Sequence, residues 1–224
     1  PALSSNWAAA LSSTPVRIGL WRSVGFSFNT FAVESFIDEL AERAATDPIQ
    51  FRHRMLAGSP RLRACLDRVA ALSRWSDRER DRRALGVAVC QAFGSHIAQV
   101  AEVQVDANGV PRVTDIWCVV DCGIAINPAT VVAQIEGGTI FALTAVLHGE
   151  VNVRDGQIVE GNFDSYRLLR IQEIPRIVVE ILPSSEAPGG VGELAVPAVA
   201  PAVASAWYQA TGRRVRRLPL GRSA

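Results

Sequence analysis

The sequence predicts an α+β fold, helical in its first third and mixed sheet and helix after that. Three observations carry this expectation. Apolar residues recur at helical spacing in three successive segments before residue 76. Two glycine turns, Asp106-Ala107-Asn108-Gly109 and Arg154-Asp155-Gly156, interrupt apolar runs of strand length. Asn127-Pro128 then opens a long apolar stretch of helical period, with Pro suited to the first helical position.

Taken in order, residues 1–23 mix Ser, Pro and Trp without a period and read as an irregular lead-in. From Phe28 the residues Phe31, Val33, Phe36, Ile37 and Leu40 share one helical face, the stripe an amphipathic helix turns toward a core. Glu34, Asp38, Glu39, Glu42 and Arg43 fall between them, and Asn29 or Thr30 suits the cap. Asp47-Pro48 opens a second helix carrying Ile49, Phe51, Met55 and Leu56, closed by Gly58-Ser59-Pro60. A third helix runs from Pro60 through Trp75 on Leu62, Cys65, Leu66, Val69 and Leu72. The run at 74–83 mixes both signs of charge, which marks a solvated helix end or connecting loop rather than a nucleic-acid patch.

The pattern changes at residue 85. An apolar run over 85–92 precedes Ile97, Val100, Val103 and Val105, and residues 98–120 read as a hairpin about the Asp106–Gly109 turn. The Asn127-Pro128 helix extends to about Leu147 with Val131, Ile135, Ile140, Leu143 and Val146. Short strands at 149–153 and 157–159 flank the second turn, and 177–182 forms another strand. Gly189-Gly190-Val191-Gly192 leads into an apolar helix ending at Thr211-Gly212. Residues 215–220 read as a last short strand, with Arg213, Arg214, Arg216 and Arg217 on its solvated edge. The expected organisation is a helical segment over 1–84 and an α+β region over 85–224.

Composition narrows the chemistry. The 224 residues are 49% hydrophobic and 20% charged, with a net charge of +1, so no global field points to nucleic acid or an anionic membrane. Every basic residue is arginine, which excludes a Walker-type lysine, a pyridoxal Schiff base and a lysine base from this chain. The longest apolar runs fall short of the roughly 20 residues of a membrane span, so no transmembrane helix is expected. The chain opens at Pro1 without a basic-then-apolar leader and reads as a mature segment or an excised fragment. The compartment, cytoplasmic or periplasmic, stays open, because an export signal would lie upstream. Cys65, Cys90, Cys118 and Cys122 include no CxxC pair and are expected as buried thiols.

Three segments could carry chemistry. Pro188-Gly189-Gly190-Val191-Gly192-Glu193 lets backbone pass close to a ligand and presents a carboxylate at a helix start. Glu193 there either complements the helix dipole or serves a reacting group. Asp121, Cys122 and Gly123, followed by Asn127-Pro128 and Gln134 to Gly138, make a strand end, a turn and a helix start suited to an anion or dinucleotide, without the GxGxxG spacing. No histidine or second cysteine lies at ligand spacing from them, so no protein-ligated metal is expected; His53, His96 and His148 are isolated. Gly137-Gly138 marks either tight helix packing or ligand approach. Arg22, between Gly19 and Gly25, could donate to an anion or serve structure alone.

In combination these segments are recognisable. WRSVG with FAVESFIDELA, then VVDCGIAINP, QIEGG, GNFDSYRLLR and GGVGELAVPAVAPAVASA follow the order seen in the molybdenum hydroxylases. The chain resembles the C-terminal part of their molybdopterin-binding large subunit, of the isoquinoline 1-oxidoreductase β-subunit and aldehyde dehydrogenase type, from about residue 19 to 220. The resemblance implies a xanthine oxidase-like enzyme that hydroxylates an aldehyde or N-heteroaromatic carbon with water as the oxygen source. Molybdenum would be held by a pterin, in the cytosine dinucleotide form, with no metal ligand from the protein, and electrons would pass to a [2Fe-2S] small subunit. It implies Glu193 as the general base. Gly190, Val191 and Gly192 would lie against the metal site, and Arg22, Gly25, Asp121, Gly123, Gln134, Gly137 and Gly138 against the cofactor. Large subunits of this type are several times longer and carry a GQG motif absent here. The remaining N-terminal part is therefore an expected partner, and the chain alone is expected to be inactive and cofactor-free. A binding or assembly module that keeps the fold without catalysis is the rival reading; a nucleotide-binding protein without redox chemistry is a third.

Overall fold

The computed structural model describes residues 19–220; most of the lead-in lies outside them. In chain order the elements are α1 (Gly25–Arg43), α2 (Pro48–Met55), α3 (Pro60–Leu72), β1 (Leu85–Ala92), β2 (Ser95–Val105), β3 (Pro111–Asp121), α4 (Pro128–Leu147), β4 (Val153–Arg154), β5 (Gln157–Ile158), β6 (Arg176–Ile181) and α5 (Val196–Thr211). The architecture is α+β, as expected.

The main sheet runs β1-β2-β3-β6, with β1, β2 and β3 antiparallel and β6 parallel to β3. The Asp106 carboxylate accepts the N–H groups of Asn108 and Val110, both at 2.8 Å, which fixes the β2–β3 turn. The β1–β2 hairpin was not foreseen: its two-residue turn is Phe93-Gly94, both at positive φ (55° and 77°). That is the twist a two-residue turn needs, reached without an Asn-Gly signal.

Both sheet faces are covered, and the strands divide their side chains with period two. Val87, Val89, Ala98, Val100, Trp117 and Val119 face Leu62, Cys65, Leu66 and Val69 of α3. Ala88, Cys90, Ile97, Ala101, Ile116, Cys118 and Val120 face α4 and α5, meeting Ile135, Leu143, Val199 and Val203. A Cβ on Gly86 would collide with the Ala202 carbonyl and the Ala206 amide, so β1 and α5 approach backbone to backbone there. Helix ends follow the local signals. The Asp47 carboxylate accepts Ile49 N–H (2.9 Å) and Gln50 N–H (3.0 Å), Asn127 accepts Thr130 N–H (3.1 Å), and Gly212 closes α5 at φ 71°. By length and composition α4 could cross a bilayer, but it packs on α5 and β6 with Val131, Ile135, Leu143 and Val146 buried. All four cysteines are buried free thiols; burial pushes Cys65 and Cys118 up to about 12 and Cys90 to about 11, which keeps them protonated and unreactive.

Two expectations are corrected. Helix α1 forms, but it starts at Gly25 and buries Glu34, Asp38 and Ala41, while Val33 and Phe36 face outward, Phe36 58% exposed. The inward acids have partners from elsewhere in the chain. Arg52 Nε donates to Glu34 at 2.8 Å, Val89 N–H donates to the same oxygen at 3.1 Å, and Arg214 pairs with Asp38. The last segment is not a strand. Arg214 and Arg216 turn back onto α1, Arg214 to Glu42 at 2.6 Å and Arg216 to Glu39 at 2.9 Å, while Val215 and Leu220 enter the core. Segments 213–217 and α1 satisfy each other by charge, a long-range match invisible to local periodicity.

Candidate active site

The site starts from a tight turn before α1. Ser23 (φ 81°) and Val24 (φ 43°) both take the left-handed region that favours glycine, and Ser23 is fully buried. This turn aims Arg22 and Ser23 at the segment preceding α5. That second segment is shaped by backbone contacts. Gly189 N–H donates to the Cys122 carbonyl at 2.8 Å and Gly190 N–H to the Phe93 carbonyl at 2.7 Å. A Cβ on Gly189 would strike Ser95 and Gly94, and one on Gly190 would press on Phe93. The loop is thus seated across the β1–β2 turn and the end of β3, which delivers Gly192 and Glu193 beyond the sheet edge.

There three segments converge. Arg22 Nε donates to the Gly192 carbonyl at 2.7 Å and Arg22 Nη2 to Gln134 Oε1 of α4 at 3.0 Å. Ser23 N–H donates to Glu193 Oε2 at 3.1 Å, and the Ser23 hydroxyl donates to the Glu193 carbonyl. Among the described residues nothing bonds Glu193 Oε1. A Cβ on Gly138 would sit 3.1 Å from Ala195 and 3.6 Å from Arg22, so this glycine lets α4 close on both. Beside them Trp21 and Phe141 stack with centroids 4.9 Å apart, and the Arg22 guanidinium lies 5.7 Å over Phe141.

The structure therefore brings together Arg22, Gln134, Gly138, Gly192 and Glu193. Gly190 lies on the same loop, and Val191 packs partly buried against the core. Gly137 is on the outer face of α4 with open space where its Cβ would be; Gly25 begins α1 with room for a side chain. Asp121 and Gly123 have other duties. Arg61 grips both Asp121 oxygens (2.8 and 2.6 Å), and Gly123 N–H adds 3.0 Å. A Cβ on Gly123, at φ 70°, would strike the Ala187 carbonyl. Sequence reasoning missed Ser23, Arg61 and the Trp21–Phe141 pair; only the position of Ser23 beside Arg22 offered a signal.

The Arg61 guanidinium, helped by the Gly123 amide, pulls the Asp121 carboxyl down to about 2 from an ordinary 3.8. Because the folded value lies below the unfolded one, its contribution is full above the unfolded value and fades as pH falls through about 2. The drop corresponds to about 2 kcal/mol. Asp121→Asn should lose about that much stability at neutral pH and little near pH 2, read by urea unfolding at both.

Among the described residues no three His, Cys, Asp or Glu side chains form a group that could hold a metal ion. Open ground lies beside the hydrogen-bonding groups: nothing stands within 4 Å of a Gly137 Cβ, and a Gly192 Cβ would meet only Gln134 Oε1 at 4.0 Å. A glycine inside an exposed helix face costs about 1 kcal/mol relative to alanine. No described neighbour requires it at Gly137.

Residues 68–175 match the molybdopterin cofactor-binding domain family. Among curated proteins, the isoquinoline 1-oxidoreductase β subunit of Brevundimonas diminuta is 36% identical over 203 residues, 89% of this chain and 26% of that protein. A subunit of the nicotinate dehydrogenase of Pseudomonas putida is 33% identical over 224 residues, 92% of this chain and 19% of that protein. Among solved structures, the aldehyde oxidoreductase of Desulfovibrio gigas superposes over 89% of this chain and 40% of its own, with a TM-score of 0.76 at 14% identity, a likeness of fold. The chain thus spans about a quarter or less of the two curated relatives. It belongs to the molybdenum-binding subunit family of the xanthine oxidase-like molybdenum hydroxylases.

Proposed function

We propose that this chain is the base-bearing part of a molybdopterin-dependent oxidoreductase that hydroxylates an aldehyde or N-heteroaromatic carbon, with water as the oxygen source. The observation that carries the reading is the Glu193 carboxylate, one oxygen held by Ser23 and the other without a partner among the described residues, at the end of a glycine loop beside Arg22 and Gln134. The substrates named for the isoquinoline and nicotinate relatives favour the heteroaromatic class. When bound, the molybdopterin centre, in its cytosine dinucleotide form, would supply the two-electron acceptor, with a [2Fe-2S] subunit as the electron-accepting partner.

The chain's own groups do the rest. Arg22, Gln134 and the backbone of Gly190, Val191 and Gly192 hold the cofactor, and the bare face at Gly137 lets it lie against α4. Glu193 Oε1 accepts the proton that the attacking water-derived oxygen must lose, a transfer worth typically about 10²–10⁴-fold. Trp21 and Phe141 wall the side of the site next to Arg22. The remainder of the large subunit completes the pocket. The outward Phe28, Val33 and Phe36 of α1 give it apolar ground to cover.

Coexpressed with the rest of the subunit and the iron–sulfur partner, the complex should contain molybdenum and iron by elemental analysis. It should also reduce a dye with an aldehyde or with isoquinoline. The 224-residue chain alone should contain neither metal. A fully assembled complex without molybdenum would replace this reading with that of a binding module.

A further inference from the structure

We infer that Ser23 is a positioning residue for Glu193, clamping its backbone and its carboxylate at once; this rests on the reading of Glu193 as the base. Two bonds from one residue reach one residue across the chain: Ser23 N–H to Glu193 Oε2 at 3.1 Å, and the Ser23 hydroxyl to the Glu193 carbonyl. Only the turn at Ser23 and Val24 makes this possible. With φ at 81°, the Ser23 amide and hydroxyl point to the same side, toward the segment that precedes α5.

Glycine would adopt that φ without strain, and the chain places glycines close by at Gly19 and Gly25. A serine held there, fully buried, keeps a strained backbone in exchange for a hydroxyl. The hydroxyl has one described acceptor, the Glu193 carbonyl. With Oε2 tied, the side-chain torsions of Glu193 are restricted and Oε1 is the oxygen left to face the site. Proton transfer depends on the base lying within hydrogen-bond reach of its proton. The clamp therefore acts on the reaction step, and substrate binding does not use it.

The first test needs no variant of Ser23. In the assembled complex, hydrogen exchange at the Ser23 amide should be slow, and Glu193→Ala, which removes its acceptor, should speed it. A Ser23 amide that exchanges freely, or one whose protection survives Glu193→Ala, overturns the clamp. The second test uses the assembled enzyme. Ser23→Gly keeps the amide, suits the backbone and removes only the hydroxyl, so kcat should fall by about 10- to 100-fold with KM within about twofold. An unchanged kcat, or a loss confined to KM, overturns the positioning role. Full turnover in Glu193→Gln would overturn the base reading alone, while a Ser23 amide whose exchange depends on Glu193 would still support the clamp.

Discussion

Replacing Glu193 with glutamine in the assembled enzyme should lower turnover by about 10²–10⁴-fold while molybdenum content stays near normal. The two side chains have the same shape, and the amide oxygen of glutamine can still accept the Ser23 N–H, so the local geometry survives. What disappears is the ability to accept a proton at the second oxygen. A loss restricted to that step lowers kcat and kcat/KM together. Steady-state kinetics and elemental analysis on the same preparation separate the possibilities. Equal turnover removes Glu193 from the base role. Loss of molybdenum together with turnover would make Glu193 a structural residue at the start of α5, complementing the helix dipole.

Much of the framework was legible because its signals are local. Asp47-Pro48 and Asn127-Pro128 open α2 and α4 where the cap chemistry places them, and Thr211-Gly212 ends α5. The β2–β3 hairpin follows from the Asp106–Gly109 turn. The misreadings have a common cause. Which face of α1 packs, and what residues 213–217 do, is decided by charge partners that are distant in sequence, so a periodicity that treats every apolar stripe as a core face misplaces Val33 and Phe36, although Phe31 does pack against the core. The β1–β2 turn was hidden because Phe93 takes a positive φ without belonging to the residues that signal it. At the site, Arg22, Gln134, Gly192 and Glu193 could each be picked out singly, from glycine context or from the resemblance. That they meet at one point depends on how α1, α4 and α5 pack, and no local pattern carries this. The backbone conformation of Ser23, like that of Phe93, is imposed from outside and shows no local signal, although its place beside Arg22 does.

The buried Arg52–Glu34 pair gives the largest expected loss of stability. Arg52 is 1% exposed, and its guanidinium donates to Glu34 Oε2 at 2.8 Å, to the Glu34 carbonyl at 3.0 Å and to the Pro48 carbonyl at 3.2 Å, with Asp38 at 3.9 Å. Arg52→Ala removes the cation and leaves Glu34, 4% exposed, as a buried carboxylate whose remaining described donor is the Val89 amide. Breaking one side of such a pair typically costs about 3–5 kcal/mol, more than forming the pair from water ever contributed. Urea unfolding should show that loss as a lower midpoint at unchanged slope. The asymmetry supplies the control. Glu34→Gln combined with Arg52→Met keeps an acceptor for Val89 and fills the arginine's space, so it should recover most of the stability. A loss below about 1 kcal/mol in Arg52→Ala would instead place this pair among solvated ones.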